Sequence, residues 1–191
     1  MPGLHLALLD QARAEGLPVM KGYAVAWLSG RGHLNPVVAE ADTLVIDALA
    51  SMHAALGGDA QALATKRRGN PPTPDLVHTD TGAIIEIDEV QHFTSARLLT
   101  LERYPEHVPL GFDPDEYRRL IQTWRHKGDA AFAHRVSHDF PRPGGRQAQR
   151  AYNDALRDLL APTFTGLPVL RIPAPDRSPA AALERLRQVL Q

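Results

Sequence analysis

Asp75 and Glu86 flank a turn-forming stretch near the middle of the chain, and Asp88 follows on the same segment. The residues run Pro74-Asp75-Leu76-Val77, then His78-Thr79-Asp80-Thr81-Gly82, then Ala83-Ile84-Ile85-Glu86-Ile87-Asp88-Glu89-Val90-Gln91-His92-Phe93. This pattern predicts a β-hairpin with carboxylates on adjacent strands. Alternate side chains of a strand project to opposite faces, so Ile84, Glu86 and Asp88 share one face and Ile85 and Ile87 the other. Buried charge must be paired, so carboxylates among isoleucines require a cation or another partner. A divalent ion held by carboxylates neutralises a phosphate and makes a water nucleophilic, which together serve phosphodiester hydrolysis. Mg2+ prefers oxygen ligands and keeps several waters, so two or three carboxylates suffice. On this reading Asp75 and Glu86 are direct ligands, with the Ile87 carbonyl as another. Asp88 is a third ligand or a partner of the first two. His92 ordinarily titrates near neutrality and is the candidate general base. Glu40 would reach the metal through a water.

Each residue also has a purely structural reading. Asp75 can cap a turn, and Glu86 can pair with Arg157 or Arg171. Gln91 can be a structural hydrogen-bonding group and Glu40 a solvated one. Lys66, Arg67 and Arg68 form a basic run that either meets phosphates or is a solvated loop. Arg171, Arg146 and Arg150 are further phosphate candidates. Asp154 and Arg157 have the spacing of a surface pair on one helix. Tyr117 and Trp124 read as core rather than as a base-stacking platform. His134 and His138 have helical spacing, but no third ligand accompanies them.

The elements that must position these groups follow from periodicity and punctuation. A helix is expected from Leu4 to Glu15, ending at Gly16 and Pro18. Tyr23 to Leu28 reads as a short strand. Asn35 and Pro36 open a helix that runs to about Leu56 and closes at Gly57-Gly58. Lys66 to Pro74 is a basic, proline-rich loop leading into the hairpin. Helices follow over Ser95 to Glu102, from Asp113 or Pro114 to about Lys127, and from Arg146 to Leu160. Pro168 to Ile172 is an apolar strand added beside the hairpin, and Ser178-Pro179 starts a last helix. The expected fold is α/β, a small mixed sheet flanked by helices.

At 191 residues, with 43% hydrophobic and 23% charged residues, the chain is an ordinary globular sequence of one domain's length. Its formal net charge of −1 means that an anionic partner must be met by a local patch. It contains no cysteine, which excludes disulfides, thiolate metal sites and a cysteine nucleophile. No apolar run approaches the roughly 18 residues of a membrane span, and the N-terminus lacks a signal-peptide pattern. A cytoplasmic protein is therefore expected, and the Ala, Arg and Pro usage points to a bacterial source.

The hairpin is similar to that of the PD-(D/E)XK nuclease superfamily, in which an acid-bearing strand, a short turn and Glu-x-Asp follow one another. More narrowly, Pro74-Asp75 and Glu86-Ile87-Asp88-Glu89-Val90-Gln91-His92 resemble the very-short-patch-repair-like endonuclease branch, with its Pro-Asp and Glu-x-Asp-Gly-x-x-His. That branch continues with Asp-x-x-Arg/Lys on a helix and then Gly-x-x-Val-x-Arg. Here Asp154-Ala155-Leu156-Arg157 and Gly166-Leu167-Pro168-Val169-Leu170-Arg171 stand in that order. An early helical glutamate is matched by Glu40, so the resemblance spans about Glu40 to Ile172. Two positions depart from it: Asp88 stands where the superfamily has lysine, and Glu89 where the branch has glycine. His92 or Gln91 would then replace the missing lysine.

The resemblance implies a restriction-endonuclease-like domain over residues 1–191, with residues 1–35 as an N-terminal helical extension, a core over about 36–175 and a C-terminal helix at 178–191. It implies a DNA endonuclease using Mg2+, or Mn2+ in its place, with metal ligands Asp75, Glu86 and Asp88, and with RNA as the alternative substrate. The rival expectation is an inactive nuclease fold that binds nucleic acid or a protein.

Overall fold

The computed structural model describes residues 3–25, 27–28, 30–67 and 72–190. Helix α1 (Leu4–Ala14) leads to strand β1 (Val19–Lys21), and helices α2 (Thr43–Ala55) and α3 (Ala60–Thr65) precede the hairpin. Strands β2 (Leu76–His78) and β3 (Ile84–Asp88) form that hairpin, and a single 3-10 turn follows at Val90–His92. Helices α4 (Ser95–Leu101), α5 (Pro114–Ala130) and α6 (Gly145–Thr165), strand β4 (Leu170–Pro173) and helix α7 (Pro179–Val189) complete the chain. The sheet order is β1-β2-β3-β4. β1 pairs antiparallel with β2 and β2 with β3, whereas β4 runs parallel to β3. The fold is thus α/β with a mixed sheet flanked by helices, as expected.

β3 is the centre of the molecule, and all five of its residues are buried. Its period of two separates two cores. Ile85 and Ile87 join Leu8, Leu76, Ile172 and Leu186 beneath α1 and α7. Ile84 faces the larger core built with α2 and α6, where Leu49, Met52, Ala155 and Leu159 lie. The β2–β3 turn depends on Gly82, whose φ of 77° is left-handed and favours a residue without a Cβ. His78 donates its amide to the Ala83 carbonyl at 2.9 Å across that turn.

The structure corrects several expected boundaries. The strand lies at Val19–Lys21, and among its described residues 23–28 is not a strand. Beyond Lys21 the opposing chain offers Pro72 and Pro74, which have no amide to extend a ladder. α1 and β1, expected in an N-terminal extension over residues 1–35, belong to the core and the sheet. The helix expected from Pro36 is one 3-10 turn (Val38–Glu40) followed by α2, because the Asp42 carboxylate caps the Leu44 amide at 2.9 Å. Glu40 consequently sits exposed on a 3-10 turn rather than on an amphipathic helix. α6 continues past Leu160 to a left-handed Gly166 with φ 74°. Among the described residues no helix is long and apolar enough to cross a membrane.

Candidate active site

Asp75 precedes β2 and turns its carboxylate to the edge of β3, where Oδ2 accepts the Ile87 amide at 2.9 Å. An amide and carbonyl of one strand residue point to the same edge, so the Ile87 carbonyl lies on the side that Asp75 occupies. A cleft of about 330 Å³ opens there, lined by Gly3, His5, Asp75, Ile87, Glu89, Gln91, His92 and Arg177. Burial raises the Asp75 pKa, and the Ile87 amide offsets only part of that shift. Among the described residues no cation lies within ion-pair distance of it.

His92 reaches this cleft from the 3-10 turn that follows β3. Its Nδ1 lies 2.9 Å from Asp154 Oδ2 and 3.2 Å from Asp88 Oδ1. Nε2 is the ring nitrogen left for the cleft. Burial alone would lower the His92 pKa, but Asp154 and Asp88 outweigh it and hold the imidazole above its ordinary value. The turn itself is clamped from behind by α5. A Cβ on Gly128 would come within 2.3 Å of the Phe93 carbonyl oxygen, so only glycine permits this approach.

Glu86 and Asp88 are not in the cleft. They point from the other face of β3 into a buried layer of arginines. Arg157 Nε lies 2.9 Å from Glu86 Oε1. The angle falls outside hydrogen-bond geometry, which leaves both atoms without a directional partner. Burial, only partly countered by Arg157, pushes Glu86 up to about 7. Asp88 accepts from Arg171 Nη1 at 2.9 Å and from the Tyr117 hydroxyl at 2.7 Å. Burial opposes ionisation of Asp88 and is the largest single effect, but Arg171, His92 and Arg97 together outweigh it and the carboxyl titrates below its usual range.

The layer continues through α6. Arg171 Nε donates to Asp158 Oδ1 at 2.7 Å, and Arg97 Nη2 donates to Asp158 Oδ2 at 2.7 Å. Arg157 Nη2 donates to Asp154 Oδ1 at 2.9 Å. Four carboxylates (Glu86, Asp88, Asp154 and Asp158) thus face three guanidinium groups, those of Arg97, Arg157 and Arg171. The His92 imidazolium would be the fourth cation. This imbalance favours both the raised His92 and the raised Glu86.

Several expected roles are corrected by these contacts. Glu86 and Asp88 as metal ligands give way to ion pairs with Arg157 and Arg171. Asp154 and Arg157 do pair, but Asp154 is fully buried rather than on the surface. Arg171 is buried within the network and cannot meet a phosphate. Lys66 Nζ is 2.8 Å from Asp139 Oδ2, so its ammonium is already committed. Arg67 and Arg146 are exposed, whereas Arg68 lies outside the described residues. Arg150 is half-buried and reaches the Gln91 carbonyl at 3.4 Å. Gln91 lines the cleft and donates to Glu89 Oε2 at 3.0 Å.

Sequence reasoning did not single out His5, Glu89 or Arg177 as cleft residues. Glu89 was visible only as the departure from glycine after Glu-x-Asp. It forms an ion pair with Arg177 Nε at 3.3 Å. Arg177 has a left-handed φ of 57°, which aims it from the β4–α7 connection across the cleft. Among the described residues, no group of three or more His, Cys, Asp or Glu side chains converges as a metal site. A cation here would therefore rely on Asp75, the Ile87 carbonyl and water, with Glu89 within the same cleft. That donor set is all oxygen and suits Mg2+.

Compared with family models, characterised proteins and solved structures, the chain shows no significant match to any.

Proposed function

We propose that the protein is a phosphodiester hydrolase acting on DNA, with Asp75 and His92 as its working residues. One observation carries this reading. His92 is held through Nδ1 by a buried carboxylate while its other nitrogen faces a cleft that also contains the Asp75 carboxylate, which has no ion-pair partner among the described residues. A general base oriented by a third group, beside an anionic cation-binding edge, is the minimum such chemistry needs.

Asp75 and the Ile87 carbonyl would hold a divalent cation, which supplies neutralisation of the phosphate and acidification of a water. His92, once deprotonated, accepts the proton of the attacking water at Nε2. Asp154 fixes the ring orientation and stabilises the imidazolium that results. Arg177, drawn from Glu89, is positioned to meet a phosphate oxygen at the opposite wall. In this reading Glu86 and Asp88 build the floor rather than touch the metal. The resemblance to the very-short-patch-repair-like endonucleases supports DNA as the substrate and a restriction-endonuclease-like core.

A second reading is favoured by the pairing of Glu86 and Asp88 with arginines, which is what a domain that binds nucleic acid without cutting it would also display. The test is a cleavage assay on supercoiled and single-stranded DNA with Mg2+ or Mn2+, beside the His92→Ala and Asp75→Asn proteins and an EDTA control. Metal-dependent cutting lost in both variants supports the hydrolase. Binding without cutting by the wild-type protein selects the second reading. Neither binding nor cutting rejects both.

A further inference from the structure

Phe132 lies in the turn between α5 and α6, where its ring packs against arginines rather than into a core. Its φ of 63° is left-handed, a region that a bulky L residue avoids. The strain does not place the ring in a core, because the side chain is 41% exposed. The turn is nonetheless rigidly held. Buried Gln147 donates through Nε2 to the carbonyls of both Asp129 and Ala131, each at 2.8 Å. The Gly144 amide donates to the Ala133 carbonyl at 2.7 Å. Backbone strain maintained by surrounding structure is characteristic of binding sites.

Two guanidinium groups flank the ring. Arg135 lies 5.0 Å and Arg150 5.8 Å from its centroid. Arg150 also reaches the Gln91 carbonyl at 3.4 Å, and Gln91 lines the cleft beside His92. One arginine side chain therefore connects the exposed ring to the cleft wall. Arg146 is exposed at the start of α6, where its amide donates to the Arg135 carbonyl at 3.2 Å. A part-exposed aromatic side chain among cations, beside the cleft, has the composition of a single-strand nucleic-acid surface. There, bases stack on rings while arginines meet the flanking phosphates.

We propose that Phe132 is a stacking platform for an unpaired nucleobase adjoining the phosphodiester held in the cleft, so that the preferred substrate is single-stranded or locally unpaired DNA. This rests on the hydrolase reading for the cleft and names the substrate class of that same site. A duplex base would have to leave its stack to reach the ring.

The experiment uses the full chain in EDTA, with a short single-stranded oligomer carrying 2-aminopurine at successive positions and a duplex of the same sequence. Binding of the wild-type protein should quench 2-aminopurine at a discrete position. Phe132→Ala should abolish that quenching and weaken single-strand binding about 5- to 150-fold, the equivalent of one base–aromatic stack. Duplex affinity should be unchanged, and Phe132→Tyr should restore both signals. The thermal midpoint of each variant checks the fold, which an exposed side chain should leave intact. Single-strand binding with no quenching at any position, or with quenching and affinity untouched by Phe132→Ala, overturns the platform but leaves the hydrolase reading standing. An equal loss on duplex also overturns it, since phosphate contact alone would then explain the effect. A wild-type protein that binds neither DNA overturns the platform, while the hydrolase reading is decided separately by the metal-dependent cleavage assay.

Discussion

The Asp154 carboxylate and the His92 imidazole meet at 2.9 Å, bringing α6 to the end of β3. This contact decides which histidine nitrogen serves the cleft and holds its proton more tightly than usual. His92→Ala should lower cleavage by roughly 10²- to 10⁴-fold, the range for a general base. Asp154→Asn should lower it less and change its pH dependence. The wild-type rate should rise with pH as His92 loses its proton, above the ordinary imidazole range. Without the Asp154 charge the rise should move to lower pH. A pH–rate profile checks this, and an unmoved profile would reject His92 as the base.

Asp75 and Glu86 should part company under mutation. Asp75→Asn removes the anionic oxygen that faces the cleft and should abolish metal-dependent cleavage. Glu86→Gln leaves the cleft untouched and should retain it, with effects confined to stability. Loss of cleavage in a folded Glu86→Gln protein would return Glu86 to the metal site.

Glu86 should also leave a mark on stability. Its pKa rises from 4.5 to about 7 on folding, so the folded state binds the extra proton. That contribution is fully present below 4.5 and is lost as pH rises through about 7. Thermal midpoints measured across this window should fall with pH more steeply for the wild type than for Glu86→Gln. Parallel curves would remove Glu86 as the titrating group.

Arg171 joins Asp88, Asp154 and Asp158, and its loss leaves these buried carboxylates without the cation they share. Arg171→Met should destabilise the protein by about 3–5 kcal/mol, the typical effect of removing one partner from a buried pair. Denaturant unfolding provides the measurement. A change below about 1 kcal/mol, the size typical of exposed pairs, would show that the network is not a stabilising unit.

Gly128→Ala places a methyl against the Phe93 and Val90 carbonyls, 2.3 and 3.0 Å from its Cβ position. The turn bearing His92 must then move. A loss of cleavage larger than the loss of single-strand DNA affinity is expected, because the base is displaced while the binding surface is kept. Equal losses in both would show that the clamp supports the fold generally.

The sequence by itself determined the hairpin, its two faces and the placement of the late strand beside it. These rest on local rules: a strand alternates with a period of two, Gly82 permits the turn, and Asp113 and Ser178 cap the helices they precede. It also marked Asp75, Glu86, Asp88 and His92 as polar groups in an apolar setting that had to find partners. Which partner each one found was decided only by tertiary structure. A buried carboxylate between isoleucines is satisfied equally by a divalent ion or by a guanidinium, and the local pattern is the same for both. Arg171 reaches Asp88 across 83 positions of chain, and Asp154 reaches His92 across 62. Once α6 and β4 packed against β3, their charges claimed Glu86 and Asp88 for the interior. Asp75, at the edge where proline ends the ladder, was left facing the cleft.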